Sequence, residues 1–167
     1  MSAIISPCGL YRYRLEREVQ ARGLTFAYFG INPSTADASL DDATVRKWKG
    51  FTLRNGGRRF IVGNVFAFRA TDVKRLAAHT TQSAQGPDWA LHMDQIMADA
   101  DVLVPCWGAS GKIPAHLRGE LDKMLAKLQA SGMMVMTFGV TACGQPKHPL
   151  MLPYDTPLTP WPQEIVK

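Results

Sequence analysis

Residues 24–34 have the sequence LTFAYFGINPS, an apolar and aromatic run that ends in a sharp turn signal. A short, continuous apolar run is typical of a strand that is buried on both faces of a sheet. The turn signal is Asn32-Pro33-Ser34, because proline restricts the backbone and asparagine often hydrogen-bonds within its own loop. The segment therefore predicts an inner strand whose carboxyl end opens into a loop.

Three further apolar runs of similar length predict strands, at residues 60–65, 102–106 and 133–138. Segments with helical patterns alternate with these strands, at residues 42–55, 73–79, 88–100 and 114–131. Such alternation indicates βα units, in which helices cover both faces of a parallel sheet. We therefore predict a single α/β domain over residues 1–167, with three α/β/α layers and a mostly parallel, four-stranded central sheet.

The start, one middle segment and the tail of the chain have weaker patterns. Residues 11–23 fit either an amphipathic helix or a strand and turn that end at Gly23. The polar residues 80–87 are expected to form a loop. From Gly144 onward the chain has six prolines, which favour an extended tail on the surface.

The first ten residues do not resemble a signal peptide. They are apolar, but Pro7 interrupts them, they contain no basic n-region, and Arg12, Arg14 and Arg17 follow them. No apolar run in the sequence approaches the ~18 residues of a membrane span. We therefore expect a cytoplasmic protein that does not contact membranes.

The cysteines Cys8, Cys106 and Cys143 are widely spaced and form no CxxC pair. This spacing argues against a disulfide framework, a zinc site or an iron–sulfur cluster. The sequence also lacks the GxxxxGK[ST] and GxGxxG motifs that bind nucleotide phosphates. We therefore expect neither a cofactor nor a metal ion.

Positive charge is concentrated in the first half of the chain. Residues 1–75 have 13 Lys and Arg against 6 Asp and Glu, a balance of +7, whereas residues 76–167 have 6 against 8, a balance of −2. An uneven basic half favours a polyanionic partner such as nucleic acid. The alternative is that this charge only keeps the protein soluble.

Polar groups follow all four predicted strands. They are Asn32 and Ser34, then Asn64 and Arg69, then residues 107–112, then residues 141–148. Ligands of open α/β sheets bind outside the carboxyl ends of the strands. We therefore predict one cleft to which these four groups contribute.

The amides of Asn32 and Asn64 are the first candidates for binding a ligand. A side-chain amide has both an acceptor and donors, so it can pair with the edge of a nucleobase. Phe66 or Phe68 could then stack on that base. The alternatives are that each amide ties down its own loop and that both phenylalanines belong to the core.

His148 and three aspartates are the candidates for proton transfer. His148 lies in Lys147-His148-Pro149, and histidine can donate a proton or a hydrogen bond at neutral pH; a structural role is the alternative. Asp37, Asp41 and Asp42 could activate water or hold a divalent metal. We favour a helix cap for this cluster, with Asp41 or Asp42 at the N-terminus of the helix over residues 42–55.

Taken in order, these motifs resemble the uracil-DNA glycosylase superfamily. GINPS at residues 30–34 is similar to the Gly-x-Asn-Pro-Gly/Ser motif of its mismatch-specific and single-strand-selective branches, and residues 63–69 look like the strand whose Asn reads a pyrimidine. Trp107-Gly108 resembles a Leu-Trp-Gly motif, and residues 148–150 resemble the start of His-Pro-Ser-Pro-Leu. More narrowly, NPSTAD with the following DDAT at residues 41–44 resembles a small bacterial and phage family of unknown function.

The resemblance implies a uracil-DNA glycosylase-like fold and a DNA glycosylase that flips a damaged or modified base, such as a phage-type modified pyrimidine, out of the stack. Asn32 would position water and His148 would stabilise the departing base, while Asp42 would act as a base if its loop folds inward. Residues implied in substrate binding are Gly30, Ile31, Pro33, Ser34, Asn64, Phe66, Phe68, Arg69, Trp107, Lys147 and Leu150. Leu150, Met151 or Leu152 would fill the vacated space in the DNA.

DNA is therefore the expected partner, bound by a monomer. Two other functions fit the same sequence. One is a nucleic-acid-binding module without catalysis, which needs only the basic half of the chain. The other is a metal-dependent enzyme acting on nucleotides or nucleosides, in which the aspartate cluster would hold the metal.

Overall fold

The computed structural model describes residues 1–162 as a seven-stranded sheet with helices. Its strands are β1 (Ser2–Ile5), β2 (Arg12–Glu18), β3 (Leu24–Gly30), β4 (Gly57–Asn64), β5 (Val102–Pro105), β6 (Met134–Thr137) and β7 (Thr159–Pro160). Its α-helices are α1 (Ala43–Arg54), α2 (Thr81–Gln85), α3 (Trp89–Asp99) and α4 (Gly119–Ala130). Short 3-10 helices span Val73–Ala78, Ser110–Lys112 and Ala115–Leu117.

The sheet is larger and less parallel than the sequence predicts. Its order is β1-β2-β4-β3-β5-β6-β7. The four predicted strands are the inner ones, and β4, β3, β5 and β6 are mutually parallel. The prediction of a four-stranded sheet is nevertheless wrong, because β1, β2 and β7 add antiparallel strands at both sides.

The physical reason for this error lies in the composition of the added strands. β2 has the sequence RYRLERE, whose charges hide any apolar run, yet Arg17 in it is buried. Its charge is compensated by the carboxylate of Asp41, with Nε and Oδ1 2.7 Å apart. β7 has only two residues, which is too short for a pattern to be recognised.

Three segments have structures that the sequence leaves open or predicts only in part. The segment 11–23 forms a strand and a turn, not a helix. The predicted loop over residues 80–87 contains the short helix α2, which Thr80 caps. The predicted helix over residues 114–131 starts with a 3-10 turn, and α4 itself begins at Gly119.

Two hydrophobic clusters lie on opposite faces of the sheet. Alternate residues of β3 show this, because Ala27 and Phe29 pack in the cluster that includes residues of α3 and α4, whereas Phe26 and Tyr28 pack in the cluster that includes residues of α1. Part of the proline-rich tail also packs in the α1 cluster, through Leu152, Tyr154 and Leu158. Helices therefore cover both faces of the sheet, as the α/β pattern predicts.

The register of the inner strands sets the position of the loops above them. Gly30 and Asn64 are paired at the ends of β3 and β4, and Phe29 is paired with Pro105 of β5. The predicted cap of α1 is confirmed for Asp42, whose carboxylate accepts a hydrogen bond from the backbone N–H of Val45 at 2.9 Å. The carboxyl ends of three strands and the start of α1 thus lie at one edge of the sheet. Within residues 1–162, no helix has the length and apolar character needed to cross a bilayer.

Candidate functional site

A cavity of about 400 Å³ lies at the carboxyl ends of β3, β4 and β5. Its volume is within the usual range of small-molecule pockets, roughly 300–1,000 Å³. Of the residues that the sequence marks as site candidates, it is lined by Gly30, Ile31, Asn32, Ser34, Asp42, Asn64, Trp107, His148 and Leu150. Gly108, Ala109, Lys112 and Met151 also line it and lie in segments that the sequence marks. The other lining residues, which the sequence does not mark as site candidates, are Arg12, Thr44, Trp48, Thr71 and Val73.

Asn32 is anchored to its own loop through one end of its amide. Its Nδ2 donates to the carbonyl oxygens of Ala70 at 2.9 Å, Pro33 at 3.2 Å and Phe68 at 3.3 Å. Its Oδ1 accepts no hydrogen bond from any described residue. Asn32 therefore does tie down its loop, and it also brings an unused acceptor to the cavity.

Asn64 lines the cavity, and neither end of its amide has a partner among the described residues. The residue is 5% exposed, and neither Oδ1 nor Nδ2 hydrogen-bonds to another part of residues 1–162. A Cβ added to the neighbouring Gly30 would lie 2.9 Å from this Oδ1, so the amide occupies space that a side chain at position 30 would take. Asn64 therefore offers an acceptor and two donors in a desolvated position.

The hydrogen bonds of His148 define its tautomer. Its Nδ1 accepts a hydrogen bond from the backbone N–H of Leu150 at 3.1 Å. Because a backbone N–H can only donate, the proton of the neutral ring is on Nε2. Burial lowers the pKa of His148, the charge of Lys112 lowers it further, and Asp42 opposes the shift. At neutral pH the ring is therefore an uncharged donor through Nε2.

Phe66 and Phe68 do not reach the cavity, which corrects the stacking role predicted for them. Their side chains are 0% and 7% exposed, and both belong to the hydrophobic cluster that contains residues of α3 and α4. Phe68 packs against His79, with ring centroids 4.1 Å apart. The indoles that line the cavity belong to Trp48 and Trp107.

Each of the two tryptophans is fixed by a neighbouring side chain. Trp48 of α1 stacks on Tyr28, with ring centroids 5.7 Å apart and planes 13° apart. Trp107 donates through Nε1 to Oε1 of Gln145 at 2.8 Å, and Gln145 donates in turn to Asp122 at 2.9 Å. The sequence indicates Trp107 through its place after a strand, whereas Trp48 carries no signal beyond helical spacing.

Three other predicted residues also lie outside the cavity. Pro33 is buried, and its carbonyl accepts from the backbone N–H of Ala70 at 3.0 Å. The stem of Lys147 lies against Gly139. Arg69 lines a second, more open depression of about 290 Å³, which shares Ser34 and Thr71 with the cavity.

The three aspartates have separate structural partners. Oδ1 of Asp37 accepts from the backbone N–H groups of Ser39 and Leu40, both at 2.9 Å. Asp41 pairs with Arg17, and Asp42 caps α1. In the described part of the chain, no three His, Cys, Asp or Glu side chains are grouped so that they could hold a metal ion. Of the three carboxylates, the one that lines the cavity is that of Asp42.

Arg12 is the charged cavity residue that the sequence does not mark as a site candidate. It is 3% exposed, and its Nη1 donates to the carbonyl oxygen of Ala36 at 2.7 Å. Burial lowers the pKa of Arg12 to about 10, so the side chain is still a cation at neutral pH. It lies in the segment whose secondary structure was ambiguous, and no local pattern separates it from the other arginines of β2.

The model of one protein family, described as a protein of unknown function (DUF1643), matches residues 12–150. The match spans β2 to β6 and includes the cavity residues from Arg12 to Leu150. No curated protein and no solved structure matches the chain.

Proposed function

Because the chain belongs to the DUF1643 family, whose function is unknown, we propose its function from the cavity: it is a DNA glycosylase-like enzyme that hydrolyses the N-glycosidic bond of a flipped, modified base. One observation carries the proposal. Asn32 follows β3, Asn64 is the last residue of β4, and His148 lies in the segment after β6, yet all three line the same cavity. Each has hydrogen-bonding atoms that other described residues do not use. The uracil-DNA glycosylase-like motifs fall on these residues.

Asn64 is the residue that reads the base. Its amide can donate to one atom and accept from the next along the edge of a nucleobase, and its desolvated position makes an unmatched edge costly. The indole of Trp48, supported by Tyr28, takes the flanking role that Phe66 and Phe68 cannot fill. A modified pyrimidine is the base class that we favour, because of the resemblance of residues 63–69.

Asn32, His148 and Asp42 divide the chemistry of hydrolysis. As the bond between the sugar carbon and the base nitrogen breaks, its electron pair goes to the base, and the Nε2–H of His148 stabilises the resulting anion. The side-chain Oδ1 of Asn32 orients the water that attacks the sugar carbon. The carboxylate of Asp42, which lines the cavity, accepts the proton that this water loses.

The residues around the opening of the cavity suit a base that is flipped out of a DNA duplex. Met151 and Leu150 line the cavity and are 88% and 38% exposed, so apolar groups stand where a flipped nucleotide would leave a gap. The helix α1 begins at the cavity and carries the exposed cations Arg46 and Lys49. These charges can contact the phosphate backbone, which supports DNA as the partner.

The test is the formation of abasic sites in oligonucleotides that carry a panel of modified pyrimidines. We expect strand breaks after alkali treatment with the wild-type protein for at least one base, and a loss of about 100-fold or more in Asn32→Ala and His148→Ala. His116→Ala is the matched control, since His116 is exposed and lies outside the cavity lining. Abasic sites that form equally in the His148 and Asn32 variants would contradict the proposed roles.

A further inference from the structure

Arg12 is a buried cation whose charge is left without a close partner. No carboxylate of residues 1–162 lies within 4.0 Å of it, and its Nε is buried with no hydrogen-bond partner in that part of the chain. Two other arginines of β2 are different: Arg14 pairs with Asp99 at 2.7 Å, and Arg17 pairs with Asp41 at 2.7 Å. The arginine that lines the cavity is thus the unpaired one.

An unpaired buried charge is costly, because the guanidinium gives up water without gaining an anion. The nearest acids compensate only from a distance: Asp42 and Asp37 favour the charged form of Arg12, while Arg69 and Arg17 disfavour it. One oxygen of each of these carboxylates is already used, by the cap of α1 and by the loop amides. The charge is therefore available for an anion in the cavity.

Hydroxyl groups and two more arginines lie near Arg12 in the cavity and in the neighbouring depression. Ser34 and Thr71 line both the cavity and the neighbouring depression, and they bring hydroxyl groups to the boundary. The depression is also lined by Arg69, whose Nε is buried without a partner among the described residues, and by the exposed Arg75. Arginines thus line both spaces that Ser34 and Thr71 share.

We infer that Arg12, Ser34 and Thr71 form a phosphate subsite. The guanidinium of Arg12 and the hydroxyl groups of Ser34 and Thr71 bind a phosphate group of the nucleotide whose base Asn64 reads. A guanidinium pairs with two phosphate oxygens at once, and the hydroxyl groups can donate to the others. A carboxylate has only two oxygens and would leave part of this donor set unused. The inference rests on the proposed function, because it assigns the base to Asn64.

Two sources of this phosphate share the same chemistry, a free nucleoside monophosphate and the backbone of a nucleic acid. The first arm compares the binding of inorganic phosphate, 2′-deoxycytidine and its 5′-monophosphate by calorimetry. The second arm compares single-stranded oligonucleotides in which one phosphate beside the target base is or is not a neutral methylphosphonate. Binding in the first arm alone indicates a free nucleotide, and an effect of the methylphosphonate indicates nucleic acid.

The decisive variant is Arg12→Met, which keeps the apolar stem and removes the charge. We expect its affinity for the phosphate-bearing probe to fall by about tenfold or more. The losses of affinity caused by the methylphosphonate and by Arg12→Met should not be additive, because both changes remove the same contact. Arg14→Gln, on the same strand and outside the cavity lining, should bind like the wild type.

Ser34→Ala gives a second measurement if Arg12→Met does not fold, with a smaller expected loss of the same affinity. Phosphate affinity that is unchanged in Arg12→Met and Ser34→Ala overturns the subsite. Arg12-dependent binding of phosphate with no abasic site on any base would retain the subsite and reject the glycosylase. Abasic sites that form at the same rate in the wild type and in Arg12→Met would retain the glycosylase and reject the subsite.

Discussion

Asn32 and Asn64 show how similar amides acquire different hydrogen-bonding environments from their neighbours. The Nδ2 of Asn32 donates to three backbone carbonyl oxygens, which leaves its Oδ1 as an acceptor at a fixed position. Neither end of the Asn64 amide is hydrogen-bonded within residues 1–162, and the glycine at the paired position of β3 leaves room for it. An anchored acceptor suits the positioning of water, and a free amide suits the reading of a base edge.

Gly30→Ala tests this arrangement at the level of one methyl group. The new Cβ would lie 2.9 Å from Oδ1 of Asn64, so the amide must move. We expect the rate of abasic-site formation to fall about tenfold or more, about 1.4 kcal/mol in the barrier. Gly111→Ala is the control, because a Cβ there meets nothing within 4 Å. Equal rates in both variants would argue against a role for the Asn64 amide.

His148 predicts a pH dependence of stability. Burial and Lys112 lower its pKa in the folded protein below the ordinary value of 6.5, so the folded state binds fewer protons than the unfolded state. Its contribution to stability is therefore present above about pH 6.5 and is lost as the pH falls through the folded pKa. Protonation would also place a hydrogen on Nδ1 and remove the bond from Leu150.

The measurement is the unfolding temperature between about pH 7.5 and about pH 5 for the wild type, His148→Gln and His116→Gln. We expect the decrease on acidification to be smaller in His148→Gln than in the other two proteins. The same slope in all three would show that His148 does not contribute to the acid sensitivity.

Among the secondary-structure elements, the tail and α1 form a unit that holds His148 in place. The ring of Tyr154 lies 5.3 Å from that of Phe51, measured between centroids, and the cationic groups of Lys47 and Arg54 each lie 4.2 Å from its centre. Lys47 also donates to the carbonyl oxygen of Leu152 at 2.5 Å. The segment after His148 is therefore fastened to the helix that starts at the cavity.

Removing that aromatic ring should loosen the unit. We expect Tyr154→Ala to lower the free energy of unfolding by roughly 1–3 kcal/mol, since the ring is partly buried and two cations rest on it. Tyr154→Phe keeps these contacts and should stay close to the wild type. Urea titration measures both, and a Tyr154→Ala protein as stable as the wild type would mean that the tail does not brace α1.

A buried ion pair joins β2 to the loop that precedes α1. The side chain of Arg17 is 0% exposed and that of Asp41 is 25% exposed. Asp41→Asn would leave the guanidinium buried without an anion, so we expect a loss of roughly 3 kcal/mol in unfolding free energy. Asp155→Asn, at an exposed position of the tail, is the control. Similar urea midpoints for the two variants would contradict a structural role for this pair.

At the scale of the whole molecule, parallel strands bring the site together and charge surrounds it. The carboxyl ends of β3, β4 and β5 meet at one edge, which is where open α/β sheets bind ligands. Part of the basic surplus of residues 1–75 is used internally, because Arg14 and Arg17 pair with acids. The exposed cations of α1, Arg46 and Lys49, are among those that could contact a polyanion if the proposed function holds.

Salt dependence tests this distribution of charge. If phosphates contact α1, the affinity for an oligonucleotide falls steeply between about 50 mM and about 200 mM salt. The double variant Arg46→Gln with Lys49→Gln should lower the slope of log affinity against log salt by about 1–2. Lys123→Gln on α4, measured by fluorescence anisotropy in the same series, should leave the slope unchanged. Equal slopes in all proteins would mean that DNA does not lie along α1.

Local patterns were enough for the four inner strands and for the polar groups at their ends. An inner parallel strand must present apolar side chains to both faces, so β3 appears in the sequence as an unbroken apolar run. The cap of α1 was also recognisable, because Asp is favoured at an N-cap. These features depend on residues that are close together in the chain.

Long-range packing settled what such patterns leave open. Arg12, Arg14 and Arg17 are alike in sequence, and contacts with residues 24 to 85 positions away leave one unpaired at the cavity and the others in ion pairs. Phe66 and Phe68 could equally have faced a cavity, but they pack into the core. Burial and electrostatic pairing are sums over neighbours that only the folded chain brings together, so no local spacing encodes them.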